Sequence, residues 1–420
     1  LNRVFDNPDH IRKAEIVVGI PSFNESDSIG SVVTCVDKGL SRYFPKKDAV
    51  IINVDNNSPD DTRRAFLKIE TRTPKMYIST PPGAKGKGRN VHNLFEAGVE
   101  LGAKTIMMVD ADLKSITPQW IQYFAEPVAM GNDYVIPIYV RHKYDGTITN
   151  NITYPLTRIL YGLRLRQPIA GDFAFSGRLA RAYLTEKTWN ENIAEFGIDI
   201  WMTTIAIARG FKVCQTFLGA PKAHRAKDPG SDLGPMFHQV VGTVFLLTSE
   251  FEYLWKDAAE SRPTNIFGFG LGVKEDPPVI SVNKDGLFQK FLSGSEDFQA
   301  EWKQVIAPIN LEDLLHMRNK TVEDVVFPSD LWARILFDFI VAFRDEYDKR
   351  SQLLKSLIPI YYLRTLGYIN ATRKLDTKDA EDFLENECLL MESEKYYLIA
   401  KWNQTPRKDG IPSIAQYLSK

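Results

Sequence analysis

Asp110-Ala111-Asp112 sets two carboxylates two residues apart, directly behind the apolar run Ile106 to Val109. A short uninterrupted run of that kind suits a strand buried on both faces. Open α/β sheets gather their ligands at the carboxyl ends of such strands. Hard divalent cations take oxygen ligands, and Mg²⁺ typically combines one or two carboxylates with substrate phosphate oxygens. The chemistry that fits is a metal site for a nucleoside diphosphate. The competing reading is a solvated Asp turn ahead of the helix that starts near Pro118. Gly86-Lys87-Gly88 offers a cation between two glycines, against the alternative of a plain surface loop. No Lys-Ser/Thr pair follows a properly spaced glycine, so a Walker A loop is excluded. His224, in Ala223-His224-Arg225, is either a ligand or a surface histidine. Asp199, in Phe196-Gly197-Ile198-Asp199, is either a site carboxylate or a helix-start residue favoured by the dipole.

The elements that must hold these groups alternate. Glu15 to Ile20 reads as a first strand, closed by Pro21-Ser22-Phe23-Asn24-Glu25, with a helix through Leu40. Ala49 to Val54 is a second strand, running into Asp55 and a polar turn, then a helix through Ile69. Lys75 to Ser79 is a third strand, followed by the loop from Pro81 to Gly88 and a helix from about Asn90 to Leu101. Strands and helices at this spacing predict a mostly parallel sheet with right-handed crossovers. Tyr134 to Val140 is a further strand whose Pro137 marks an edge or a bulge. Gln167 to Ser176 reads as a small-residue loop, Ile193 to Ala208 as a helix and Lys212 to Leu218 as a strand. A long apolar helix is expected from Met236 to about Trp255. From about Leu287 onward only helical periodicity recurs, as in Leu331 to Phe343 and Gln352 to Tyr368.

With 420 residues, two domains are expected: 1–260 as the catalytic domain and 261–420 as a mostly helical one. The formal net charge of -1 gives no basic field for nucleic acid. The 3 cysteines are scattered, without metal or redox spacing, and no apolar stretch is long enough to span a membrane. A cytoplasmic enzyme of small molecules is therefore expected, with no secretory signal. The aromatic helices near Trp332 and Tyr361 are a candidate homodimer interface or simply core.

Taken in order, PSFNE, VDNNSPDDT, GKG and DAD resemble a nucleotide-sugar-dependent glycosyltransferase of the GT-A fold. QPIAGDFAFS, FGID and APKAHRAKD followed by LGPM narrow the resemblance to the mannosylglycerate synthase and glucosyl-3-phosphoglycerate synthase group, over roughly residues 14–260. The resemblance implies an α/β fold with a Rossmann-like, mostly parallel sheet and a C-terminal α-helical domain. It implies transfer of mannose or glucose from a GDP- or UDP-hexose to D-glycerate or 3-phosphoglycerate, with retention of configuration.

Residue by residue, Asp112 is similar to the direct metal ligand and Asp110 to its partner nearer the ribose. His224 resembles a further ligand, and imidazole suits Mn²⁺ or Co²⁺ better than Mg²⁺, which is still tolerated. Pro21, Phe23, Glu25 and Asp55 resemble a nucleoside cradle, and Lys87 reaches the base or phosphate. Gly171 and Asp172 fall beside the donor sugar, Ile169 presents a backbone carbonyl near the anomeric carbon, and Asp199 lies near sugar hydroxyls and acceptor. Arg141 resembles an arginine that grips the acceptor carboxylate, a task suited to its planar fork. Thr147 and Thr149 add hydroxyls. Ala226 and Lys227 stand where the phosphoglycerate enzymes have an Asn and an Arg; the missing Asn counts against phosphate recognition, Lys227 can still meet a phosphate as a point charge, and the two acceptors stay open. Two other readings stand beside this one. One is an inverting transferase on a polysaccharide or lipid-linked acceptor, with Asp199 as base. The other is a non-catalytic nucleotide-sugar-binding protein.

Overall fold

A computed structural model describes residues 4–223, 234–268 and 277–404. Contacts divide the chain into two compact units that interleave in sequence rather than meeting at one cut near residue 260. The first contains residues 1–140, 165–226 and 263–278; the second contains 141–164, 227–262 and 279–420.

The first unit is built on a mixed sheet. Its strands are β1 (Phe5–Asp6), β2 (Ile16–Ser22), β3 (Ala49–Asp55), β4 (Lys75–Ser79), β5 (Thr105–Met108), β6 (Tyr134–Val140), β7 (Phe173–Ser176), β8 (Val213–Pro221) and β9 (Ile266–Phe267). In space they run β1-β4-β3-β2-β5-β7-β6-β8-β9. The pairs β3–β4, β2–β3, β2–β5, β6–β8 and β8–β9 are parallel; β1–β4, β5–β7 and β6–β7 are antiparallel. Helices α1 (Ile29–Tyr43), α2 (Thr62–Lys68), α3 (Lys87–Glu100), α4 (Pro118–Ala129), α5 (Gly177–Thr185) and α6 (Ile198–Ala208) accompany the sheet. The central strands are buried throughout, as their continuous apolar runs predict. This is the Rossmann-like GT-A fold, with a helical region toward the C-terminus.

Three local expectations change. Gln167 to Ser176 is not loop throughout: Phe173–Ser176 is β7, inserted antiparallel between β5 and β6. A strand of four residues gives too few alternations to be read from sequence. Pro137 sits in an inner strand, but past Val135 only β8 flanks it, and the register slips between Ile138 and Val140. The missing N–H is thus tolerated beside an open flank and a bulge. The helix expected from Ile193 breaks at 195–197, between a short turn (Glu191–Ala194) and α6, so Asp199 lies in the first turn of α6.

The second unit is helical over most of its described residues. Its longer helices are Gly234–Glu250, Ser329–Asp345, Arg350–Thr372 and Thr377–Ser393. Trp332 and Tyr361 are 0% and 1% exposed. They belong to this unit's core, so the surface needed for a dimer interface through them is absent. Buried charge is paired rather than isolated, as desolvation demands. Arg158 lies 2.6 Å from Glu385 and 2.5 Å from Glu392, and Arg364 pairs with Glu387 while donating to Asn151. Lys143 caps the end of the Arg350–Thr372 helix, donating to the carbonyls of Thr372 (2.8 Å) and Leu375 (2.6 Å). Among the described residues no helix is long and apolar enough to cross a membrane.

Candidate active site

Strands β2, β3 and β5 lie parallel in register, so their carboxyl ends deliver Ser22, Asp55 and Asp110 to one rim of the sheet. Asp55 is fully buried and accepts four hydrogen bonds: from Ser22 Oγ (2.7 Å), Tyr77 Oη (2.8 Å), Ser58 N (2.7 Å) and Ser58 Oγ (2.7 Å). A carboxylate has about four acceptor positions. All are taken here, so Asp55 braces the cradle in this arrangement. Burial and the Asp55 carboxylate beside it raise the Tyr77 phenol above its ordinary range, so it stays the donor. Asn53 continues the brace, donating to Ile20 O and Ser22 Oγ, and Asn90 in the first turn of α3 donates to Ser22 O. Pro21 is buried within β2 opposite Val54. Phe23 is half-buried under the Lys85 ammonium, 4.7 Å from the ring centroid. The Glu25 carboxylate accepts from Ser28 Oγ at 2.6 Å.

Lys87 is the first residue of α3 and sits inside a ring of acids. Its Nζ is 3.1 Å from Asp110 Oδ1, 3.4 Å from both Asp199 oxygens and 3.5 Å from the Gly171 carbonyl. Burial alone would lower its pKa, but attraction to Asp110, Asp199 and Asp172 outweighs that and raises it, so the ammonium persists. Asp199 is 8% exposed. Burial lifts its carboxyl above the usual range, repulsion from Asp110 adds to this, and Lys87 opposes it. Asp199 Oδ1 is buried and, 3.4 Å from the Lys87 ammonium, accepts no hydrogen bond from a described residue, which leaves it able to accept from a ligand hydroxyl.

The glycines flanking Lys87 are set by close backbone approach. A Cβ at Gly86 would lie 2.2 Å from the Ala194 carbonyl oxygen, and one at Gly88 would lie 1.9 Å from that of Ile193. Gly88 N–H donates to Glu195 O at 3.0 Å. These glycines dock the start of α3 on the 193–195 backbone, and that docking aims Lys87. Gly171 has φ +88, and a Cβ there would sit 2.2 Å from Asp110 Oδ2. Only glycine lets the two loops close this far.

Asp172 is fully buried. Its Oδ1 accepts from Asp110 N–H at 2.8 Å; its Oδ2 accepts from Tyr139 Oη and from Lys222 Nζ, the latter at 2.9 Å. Lys222 also donates to Ala170 O at 2.8 Å and lies 3.7 Å from Asp110 Oδ2. In the turn before Gly171, Thr203 Oγ1 donates to Pro168 O and Lys222 to Ala170 O. Among the described residues none donates to the Ile169 carbonyl between them. Lys222 and Tyr139 were not legible as site residues. The one available hint was a lysine ending a buried strand two places before the histidine.

Asp112 is half-buried and makes no hydrogen bond or ion pair with a described residue. Just past it, Lys114 N–H donates to Ala223 O at 2.9 Å, and Ala223 N–H donates to Ser115 Oγ at 2.9 Å. The residue before His224 is thus tied to the loop that follows Asp112. His224 and Lys227 themselves lie outside the described residues, and among those described no three His, Cys, Asp or Glu side chains form a metal cage. The charge balance suits a divalent cation nonetheless. Among the described residues Asp110, Asp172 and Asp199 face Lys87 and Lys222, a surplus of one negative charge. Arg141, Thr147 and Thr149 belong to the second unit. There Arg141 lies 3.9 Å from Asp145, and the Thr147 hydroxyl is 2.5 Å from Tyr361 Oη.

Residues 17–189 match the model of glycosyl transferase family 2. Mannosylglycerate synthase of Rhodothermus marinus is 24% identical over 212 residues, which is 49% of this chain and 52% of that protein. Over these spans the chain is similar to glycosyl transferase family 2 and to a mannosylglycerate synthase. The match spans about half the length of that curated relative. Among solved structures, glucosyl-3-phosphoglycerate synthase of Mycobacterium tuberculosis with Mg²⁺ and uridine diphosphate aligns at 24% identity and TM-score 0.45, covering 56% of this chain and 80% of that one. The same enzyme with Mn²⁺ and UDP-glucose aligns at 22% identity and TM-score 0.45, covering 56% and 79%.

Proposed function

We propose that this chain is a metal-dependent glycosyltransferase that moves mannose or glucose from a GDP- or UDP-sugar onto D-glycerate or 3-phosphoglycerate, in the cytoplasm, with retention of configuration. The observation that carries the reading is the charged rim at the carboxyl ends of β2, β3 and β5, where Lys87 joins Asp110 to Asp199 beside the Ile169 turn. Asp112 and His224 would hold a divalent cation, which would supply charge neutralisation for a departing diphosphate. The chain's own residues do the rest. Asp110 and Lys87 orient the donor next to the ribose and phosphate. The Asp199 carboxylate accepts from a sugar hydroxyl, and the Ile169 carbonyl faces the positive charge that grows at the anomeric carbon. The Arg141 guanidinium grips the acceptor carboxylate as a bidentate donor, and Lys227 adds a point charge for an acceptor phosphate. The acceptor proton passes to a leaving phosphate oxygen on the same face.

A matrix of UDP-glucose, GDP-glucose and GDP-mannose against glycerate and 3-phosphoglycerate tests this, with Mn²⁺ present and product mass and anomeric coupling read out. An α-linked hexosyl product supports the reading. A β-linked product overturns retention, and absence of both transfer and donor hydrolysis across the matrix overturns the enzyme assignment.

A further inference from the structure

Lys222 is the feature of this site that the proposed chemistry does not use. It is a buried cation, its side chain 4% exposed, placed where β8 ends. An ammonium in such a place costs several kcal/mol of desolvation unless it is paired and hydrogen-bonded, and every contact made by this one reaches a different piece of the site. Nζ donates to Asp172 Oδ2 (2.9 Å) and Ala170 O (2.8 Å), lies 3.7 Å from Asp110 Oδ2 and stands 4.5 Å from the centroid of the Tyr139 ring. Its backbone N–H donates to Val140 O, which keeps β8 on β6 across the bulge.

The consequences run through Asp172. Its other oxygen accepts the N–H of Asp110, two residues beyond Met108, whose pairing with Phe173 is the last between β5 and β7. The carboxylate therefore extends the sheet by one rung and fixes where Asp110-Ala111-Asp112 leaves the strand. The same ammonium holds the Ala170 carbonyl, and with it the turn that presents Ile169. Residue 222 also precedes Ala223, which is tied to Lys114 and Ser115 on the far side of Asp112.

We infer that Lys222 is a positioning residue: through Asp172 and Ala170 it sets the Asp110–Asp112 loop and the Ile169 turn in register with the end of β8. This rests on the proposed transferase reading. It predicts a kinetic signature, because among the described residues no hydrogen bond or ion pair joins Lys222 to Pro21, Phe23, Glu25 or Asp55, while its contacts with Asp172 and Ala170 reach the turn beside the reacting groups. Lys222→Met lowers kcat at least about thirtyfold while the donor KM rises by a clearly smaller factor, since a misplacement well under 1 Å at reacting groups is enough for such a loss and Asp110 on the same loop also meets the donor.

Lys222→Met alone leaves Asp172 with an unpaired buried charge and is expected to be less stable. The double variant Asp172→Asn/Lys222→Met removes both charges and serves as the control for folding. The experiment measures thermal midpoint, the binding stoichiometry and affinity of Mn²⁺·UDP and Mn²⁺·GDP by calorimetry, and kcat and KM across the donor matrix. The expected result is a double variant that melts near the wild type and binds one nucleotide per chain, yet keeps the kcat deficit. A double variant whose kcat returns to within threefold of wild type overturns the inference, because the lysine would then serve only to compensate Asp172. A donor KM that rises in step with the fall in kcat also overturns it. Wild-type protein that neither binds Mn²⁺ with either nucleotide nor turns over any donor defeats the transferase reading instead.

Discussion

Replacing Gly171 by alanine separates backbone strain from displacement of a site carboxylate. At φ +88 an L-residue is held in the left-handed half of conformational space, which costs about 1–2 kcal/mol. The added Cβ would also stand 2.2 Å from Asp110 Oδ2, where ordinary contact begins at 3.4 Å. The neighbours are tightly held, since Asp172 grips Asp110 N–H at 2.8 Å and Lys87 grips Oδ1 at 3.1 Å. The Asp110 carboxylate must swing away by about 1 Å, and a shift of about 1 Å at a reacting site costs on the order of a hundredfold in rate. Gly131 supplies the matched control: its φ is +93, nothing lies within 4 Å of its Cβ position, and it precedes the amino end of β6, away from the site rim. Thermal melts and steady-state kinetics on Gly171→Ala and Gly131→Ala are the assay. Both variants lose stability through strain, and only Gly171→Ala loses kcat by about two orders of magnitude. If Gly171→Ala keeps kcat within threefold of Gly131→Ala, Asp110 does not need its observed position and the reasoning is refuted.

Other consequences are simpler to state. Asp112→Ala should cut turnover by at least about a hundredfold, roughly 2.7 kcal/mol of lost charge stabilisation, and should abolish Mn²⁺ binding; near wild-type turnover would remove the metal from the mechanism. Arg141→Ala should raise the acceptor KM far more than the donor KM, and an unchanged acceptor KM would take Arg141 out of the acceptor pocket. Asp133 is buried, which alone would raise its carboxyl pKa, but Arg178, the Ser176 hydroxyl and Lys212 N–H outweigh burial and hold it below the usual range. A carboxylate with a depressed folded-state pKa stabilises the protein above its unfolded value, near 3.9, and that contribution is lost as pH falls through the folded value. Asp133→Asn should therefore lower the melting temperature at pH 7 and narrow its gap from wild type as the pH falls below about 4; a gap that persists unchanged at low pH would show that charge is not what Asp133 contributes.

The layout of the first unit was legible because its strands are buried on both faces and its turns carry strong local signals. β4 lies at Lys75–Ser79 as read, and β2 and β3 differ from the reading only by a residue or two at their ends. The order of motifs likewise marked which loops end beside the rim, since in a parallel sheet the chain must leave each strand at the same edge. The short strand β7 and the break before α6 were not legible, because four residues or one turn hold too little periodicity to outweigh neighbouring signals.

Sequence by itself determined that carboxylates and a lysine follow buried strands, and motif order named their relatives. Tertiary structure alone decided which of them touch. It spent Asp55 on Tyr77 and two serines, assigned the glycines around Lys87 to the 193–195 backbone, and placed Lys222 against Asp172 across 50 positions of chain. The physical reason is the cost of burying charge. A buried lysine or aspartate must find a partner, and that partner is chosen by strand register and loop closure rather than by nearness in sequence.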